Sequence, residues 1–151
     1  MNERGKTLSW IALLMEFVLL AGIVAVKMIY YLERYQDRYY KTFAGFVAWT
    51  AVSLFISLLP VLFLIISSAV GVKYGDYENH AVFLALYLKW VVINFLIEAI
   101  SLIVSIKGID SMKVTIAERM LICHAVSLVP FFVMFSTRKK VEKNIKNPWD
   151  F

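Results

Sequence analysis

Glu16, Lys89, Glu98 and His124 are titratable groups set inside long apolar runs of a 151-residue sequence. A carboxylate in mid-membrane costs at least ~2.5 kcal/mol on insertion scales unless it finds a partner or a wet cavity. Such groups are candidates for proton relay or ligand anchoring; the competing role is to hold helices together by hydrogen bonds. The stretch 81–106 carries the densest set. At about 100° per residue, Tyr87, Asn94, Glu98, Ser101 and Ser105 fall on one narrow stripe, and Lys89 points to the opposite side. Lys89 is expected to snorkel to headgroups. Glu98 and His124 come out at ~12 and ~13 Å below the same surface, counting from the ends of their apolar runs, so they are expected to meet at one depth. Glu16, Asn94, Glu98 and His124 are therefore the candidate intramembrane site, with Glu98 as its centre.

The elements that carry these groups are four apolar runs, near 8–32, 43–71, 82–106 and 115–136. Each is long enough as a helix to cross a ~30 Å hydrocarbon core, or nearly so. Composition agrees: 61% of residues are hydrophobic, 18% are charged, and mean hydropathy is +0.73. The fold class is all-α, a polytopic membrane protein with one domain, four transmembrane helices in an up-down bundle. In the first run Ser9, Glu16 and Lys27 share a face. Glu16 should turn to the bundle, while Lys27 is expected to snorkel to the far headgroups beside Tyr30 and Tyr31. That run is too long and too charged for a cleaved leader. In the second run Thr50, Ser53, Ser57, Pro60, Ser67 and Ser68 make a small, polar face suited to close helix packing. Pro60 should kink the helix, with its freed carbonyl taken up by a serine or a neighbouring helix.

The connections are short. ERYQDRYYK (33–41) is rich in tyrosine and is expected to extend the first helix along the interface. VKYGDYENHA (72–81) has turn chemistry, and its Asp76, Glu78 and His80 match no specific metal spacing. After the third run, Gly108 is placed to cap the helix, and Ser111 or Thr115 to start the next, Thr115 and Glu118 having the form of a capping box.

The tail 137–151 holds Arg138, Lys139, Lys140, Lys143 and Lys146, expected to lie on anionic lipid headgroups. The net charge of +5 is assigned to topology and lipid contact, since no base-stacking module accompanies it to suggest nucleic acid. Eight Lys and Arg fall on the face bearing the termini and seven on the other. The tail's cluster next to the last span breaks this near-tie and puts both termini in the cytoplasm.

SLVPFFVMFSTRKKVEKNIKNP, following TIAERMLICHAV, resembles the end of the YdgK-like bacterial inner-membrane proteins. There a last span closes in a Pro-aromatic-aromatic element followed by Ser, basic residues and Val-Lys. Pro130, Phe131, Phe132, Ser136, Arg138 and Val141 are the matching positions, with a short insertion. The KTLSW entry departs from that family's Gly-Gly-Trp-Leu opening. The resemblance implies four spans in a bacterial inner membrane and no reaction.

No P-loop, paired histidine ligands or nucleophile elbow is present, and no cofactor or metal site is expected. With one cysteine, Cys123, no intrachain disulfide can form. The leading expectation is a non-enzymatic membrane protein that binds or regulates a membrane partner, or a copy of itself, through the serine face, the tyrosine-rich loop and the tail. A proton-linked carrier or channel subunit using Glu16, Glu98 and His124 is the first alternative. An immunity protein against a membrane-active toxin is the second.

Overall fold

A computed structural model describes residues 3–36, 42–73 and 77–136. The described chain is helical throughout apart from its connections. Helix α1 runs Glu3–Gln36, α2 Phe43–Lys73, α3 Tyr77–Lys107 and α4 Ser111–Val126. All four, with α4 continued to Ser136, are long and apolar enough to cross a membrane. The protein is an integral membrane protein built as an all-α four-helix bundle. Leu14, Val18, Phe55, Leu96, Val104 and Ile122 stand exposed around its outside, as lipid-facing residues must.

The helices close into a ring. α1 packs on α2, α2 on α3, α3 on α4, and α4 back on α1, whereas the diagonal pairs α1/α3 and α2/α4 make no close backbone contact and meet only through side chains. Consecutive antiparallel helices place the termini at one face and the α1–α2 and α3–α4 connections at the other, the loop face below. The interior alternates apolar and polar layers. Towards the termini Ala12, Leu64, Leu84, Tyr87, Val91, Phe131 and Met134 form one apolar cluster. Leu19, Ile23, Val61, Ile116 and Met120 form the second, nearer the loop face.

The polar face of α2 packs within the molecule: Thr50, Ser57, Pro60, Ser67 and Ser68 are all buried. Near the termini, α1 passes close against Gly71. A Cβ there would collide with Ser9 Oγ and press on Met134 at 3.2 Å. Helical structure continues through Pro60. The carbonyl that Pro60 cannot serve is that of Ile56, and Asn94 Nδ2 on α3 donates to it at 3.1 Å. A second bond from Asn94 Nδ2 to the Trp90 carbonyl, at 2.9 Å, holds the amide in place. The proline and the asparagine on the next helix thus satisfy one another's requirements.

In the last span Pro130 has no N–H for the carbonyl of Val126. Helical assignment lapses at Ser127 and resumes over 128–136. Ser127 Oγ donates to the His124 carbonyl at 2.5 Å. Its proton being engaged there, Tyr87 Oη is the donor in the 2.7 Å bond to Ser127 Oγ that ties α3 to α4.

The α3–α4 connection differs from the sequence expectation. The bonds Asp110 N–H to Ser105 O, at 3.0 Å, and Ile109 N–H to Ile106 O, at 3.3 Å, make a Schellman ending. Its left-handed residue is Ile109, at φ 54°, one position after Gly108. A β-branched residue there costs ~1–2 kcal/mol that a glycine would not. The next helix is capped by Asp110, whose side chain accepts from Lys113 N–H at 3.3 Å, and not by Ser111 or Thr115. Thr115 lies inside α4 and donates to the Ser111 carbonyl at 2.9 Å. Helix α4 therefore starts four residues before Thr115, about one turn. The second connection also shrinks, because α2 reaches Lys73 and α3 begins at Tyr77. The tail 137–151 with Arg138, Lys139, Lys140, Lys143 and Lys146, most of the tyrosine-rich loop, and the side chains of Asp76, Glu78 and His80 lie outside the described residues.

Candidate functional site

Lys27 and Glu98 form the centre of the polar interior. Each sits nine residues from the loop-face end of its helix, Gln36 and Lys107 respectively, so both lie about 13 Å down. Their helices are diagonal to one another, and the side chains bridge the gap with Lys27 Nζ 3.5 Å from Glu98 Oε1. Lys27 Nζ also donates to Ser53 Oγ at 3.2 Å, and Tyr31 Oη donates to the same oxygen at 2.6 Å. The ammonium stands 6.0 Å from the Tyr31 ring centre. Lys27 is 7% exposed and Glu98 5%. The expected snorkelling of Lys27 is thereby overturned. Lys27 turns inward to Glu98 and Ser53 instead, since leaving the Glu98 charge buried without a partner would cost several kcal/mol. Lys89, by contrast, is exposed on the outer side of α3, opposite Glu98 as its spacing requires.

The expected meeting of Glu98 and His124 is also corrected. Because α4 begins at Ser111, His124 lies thirteen residues into it, or about 20 Å, one turn deeper than Glu98. Glu98 takes Lys27 as its partner. His124 is fully buried, edge-on to Phe95 with ring centres 6.1 Å apart, and neither ring nitrogen has a hydrogen-bond partner. Glu16 is deeper again and fully buried. It faces the bundle as expected, accepting from Ser68 Oγ on α2 at 2.7 Å, while Oε2 has no partner. Of the sequence-derived set, Asn94 is committed to backbone carbonyls of α2 and α3, and Glu16, Glu98 and His124 are held at separate depths. The signal for Lys27 was its place on the face of Ser9 and Glu16, which counted for more than its distance from the apolar run's end.

A cavity of about 390 Å³ lies above the pair, lined by residues of all four helices. Lys27, Glu98, Ser53 and Ser101 surround its deep end, and Tyr30, Ser105 and Lys113 stand towards the loop face. A smaller space of about 150 Å³ adjoins it between α2 and α3, sharing Lys27, Glu98, Ser53, Trp49 and Ile97 with the first. Beneath the pair, Ile23 and Val61, both fully buried, belong to the apolar layer that separates it from Glu16.

At the rim Arg34 Nη2 meets Asp110 Oδ1 at 2.5 Å, tying the end of α1 to the α3–α4 turn. Desolvation raises the Asp110 pKa, but the Lys113 N–H and the Arg34 guanidinium outweigh it and hold the carboxyl below the usual carboxylate range. Among the described residues, no three His, Cys, Asp or Glu side chains converge as metal ligands. No known protein family, curated protein or solved structure matches this chain.

Proposed function

We propose that the chain is a non-enzymatic, proton-linked carrier, or the subunit of one, in a bacterial cytoplasmic membrane with both termini inside. The observation that carries this reading is the file of polar groups along the bundle axis. The Lys27–Glu98 pair lies at the base of a cavity, and His124 and Glu16 follow below it with buried atoms that have no hydrogen-bond partner. Packing alone does not require such groups: a purely structural polar centre is expected to satisfy each buried atom it contains. The Ile23–Val61–Met120 layer serves as the closed gate between cavity and Glu16. Tyr87 and Ser127, bonded to each other at 2.7 Å, supply hydroxyls between His124 and the terminal half.

A partner-binding role loses one of its three expected surfaces, because the serine face of α2 is used inside the bundle. The cytoplasmic placement of the termini rests on the basic tail; a reporter fused at residue 151 and found outside would reverse it. The carrier reading is tested in proteoliposomes containing a pH-sensitive dye. The wild-type chain should dissipate an imposed pH gradient, and Glu16→Gln and His124→Phe should slow this to the rate of empty vesicles while keeping helical content. Wild-type vesicles as tight as empty ones across a range of candidate polar solutes would remove the reading.

A further inference from the structure

The cavity and the space beside it differ in chemistry, and together they describe an amphiphile. Helices α1, α2 and α3 have 34, 31 and 31 residues, about 46–51 Å, and so overhang a ~30 Å hydrocarbon core by roughly 8–10 Å at each end. At ~13 Å from those ends, Lys27 and Glu98 lie only a few ångströms inside the hydrocarbon boundary. A lipid headgroup reaches that level with a shallow dip.

The cavity presents two cations, Lys27 and Lys113, and one carboxylate, Glu98. The adjoining space between α2 and α3 is lined by Val52, Ile56 and Ile97; Val52 and Ile97 are exposed on the outside of the bundle, where lipid tails lie. At 3.5 Å the Lys27–Glu98 contact is longer than the ~2.7–2.9 Å of a tight charge-assisted hydrogen bond. A molecule with its own anion and cation can enter between the two and leave each charge paired.

We propose that this is a binding site for a phospholipid whose headgroup carries both a phosphodiester and a primary ammonium, entering from the bilayer between α2 and α3. The phosphate lies against Lys27 and Lys113. The ammonium donates to Glu98, which a quaternary ammonium cannot satisfy in the same way because it has no N–H. The acyl chains run out over Val52 and Ile97. A lipid with a net negative headgroup meets the Glu98 carboxylate unpaired and is disfavoured.

The test is native mass spectrometry of the full chain in a neutral detergent with equimolar phosphatidylethanolamine, phosphatidylcholine and phosphatidylglycerol. Phosphatidylethanolamine should be retained about tenfold over either competitor, the effect of one hydrogen bond to a charged group. Glu98→Gln should abolish the preference. Ile97→Trp fills the window from an exposed position without removing either charge, and it too should lose the lipid. O-phosphoethanolamine, the water-soluble headgroup, should not displace it at equal concentration. Equal retention of all three lipids, retention unchanged in Ile97→Trp, or displacement by the free headgroup would each overturn the site. The inference stands apart from proton movement. Lipid retention without dissipation of a pH gradient leaves it intact and removes the carrier reading, and the converse result does the opposite.

Discussion

Lys27 of α1 and Glu98 of α3 meet at 3.5 Å across the diagonal of a bundle whose diagonal helices make no close backbone contact. The pair does what no backbone contact does here: it joins α1 directly to α3. Removing one partner leaves the other charge buried, which costs ~3–5 kcal/mol. Lys27→Met and Glu98→Leu should therefore each destabilise the bundle strongly in mixed-micelle unfolding. The double variant Lys27→Met/Glu98→Leu should recover most of that loss, since the charge penalties vanish together. Additive losses would mean the two residues are not coupled.

Asn94 and Pro60 should show a second coupling. Asn94→Ala exposes the Ile56 carbonyl as an unsatisfied buried acceptor, at a cost of ~1–3 kcal/mol. In a Pro60→Ala background residue 60 regains its N–H and can serve that carbonyl itself. The cost of Asn94→Ala should then shrink towards that of the Trp90 bond alone. An unchanged cost in the alanine background would contradict the pairing.

Gly71 should tolerate no side chain while Ser9 is in place. Gly71→Ala drives a Cβ into Ser9 Oγ, which is itself fixed by its 2.8 Å bond to the Gly5 carbonyl. Overpacking of this kind costs ~1–3 kcal/mol. Ser9→Gly should restore much of it. Gly22→Ala, with open space at its Cβ position, should be neutral or slightly stabilising, by up to ~1 kcal/mol. These thermal melts separate a close helix approach from a general intolerance of substitution.

The rim should be acid-sensitive through Asp110. Its folded-state pKa lies below the ordinary carboxylate value, so it contributes stability above that value and loses it as pH falls through the folded pKa. The window is therefore below about pH 4, the unperturbed aspartate range. Asp110→Asn should flatten this acid limb of a stability-against-pH curve and leave neutral pH dependence alone. A variant whose acid limb matches wild type would show that other carboxylates dominate there.

Much of the architecture was legible in the sequence because lipid imposes it. Run length gave four helices, and 100° periodicity gave the buried faces of Ser9, Glu16 and Lys27 and of Tyr87, Asn94 and Glu98. The pairing inside was not legible. It depended on where α4 begins, and a one-turn difference between Thr115 and Ser111 moved His124 out of register with Glu98. It depended also on Lys27 turning inward to Glu98 and Ser53 rather than along α1 to the headgroups. Helix ends are set by caps, and here the cap was Asp110, preceded by a left-handed isoleucine where the composition pointed to glycine. Asn94 on its polar stripe has the look of a ligand group, but Pro60, 34 residues earlier in the chain, creates the unpaired carbonyl that explains it.

If the cavity is the open half of a carrier, water reaches the Lys27–Glu98 level from the loop face and is stopped by the apolar layer beneath it. Ser101 lines that cavity. A Ser101→Cys variant in a Cys123→Ser background, in sealed membranes of known orientation, would be treated with a membrane-impermeant maleimide from each side. The account expects labelling from the loop face and none from the face bearing the termini. Labelling from the terminal face, or from neither face, would contradict it.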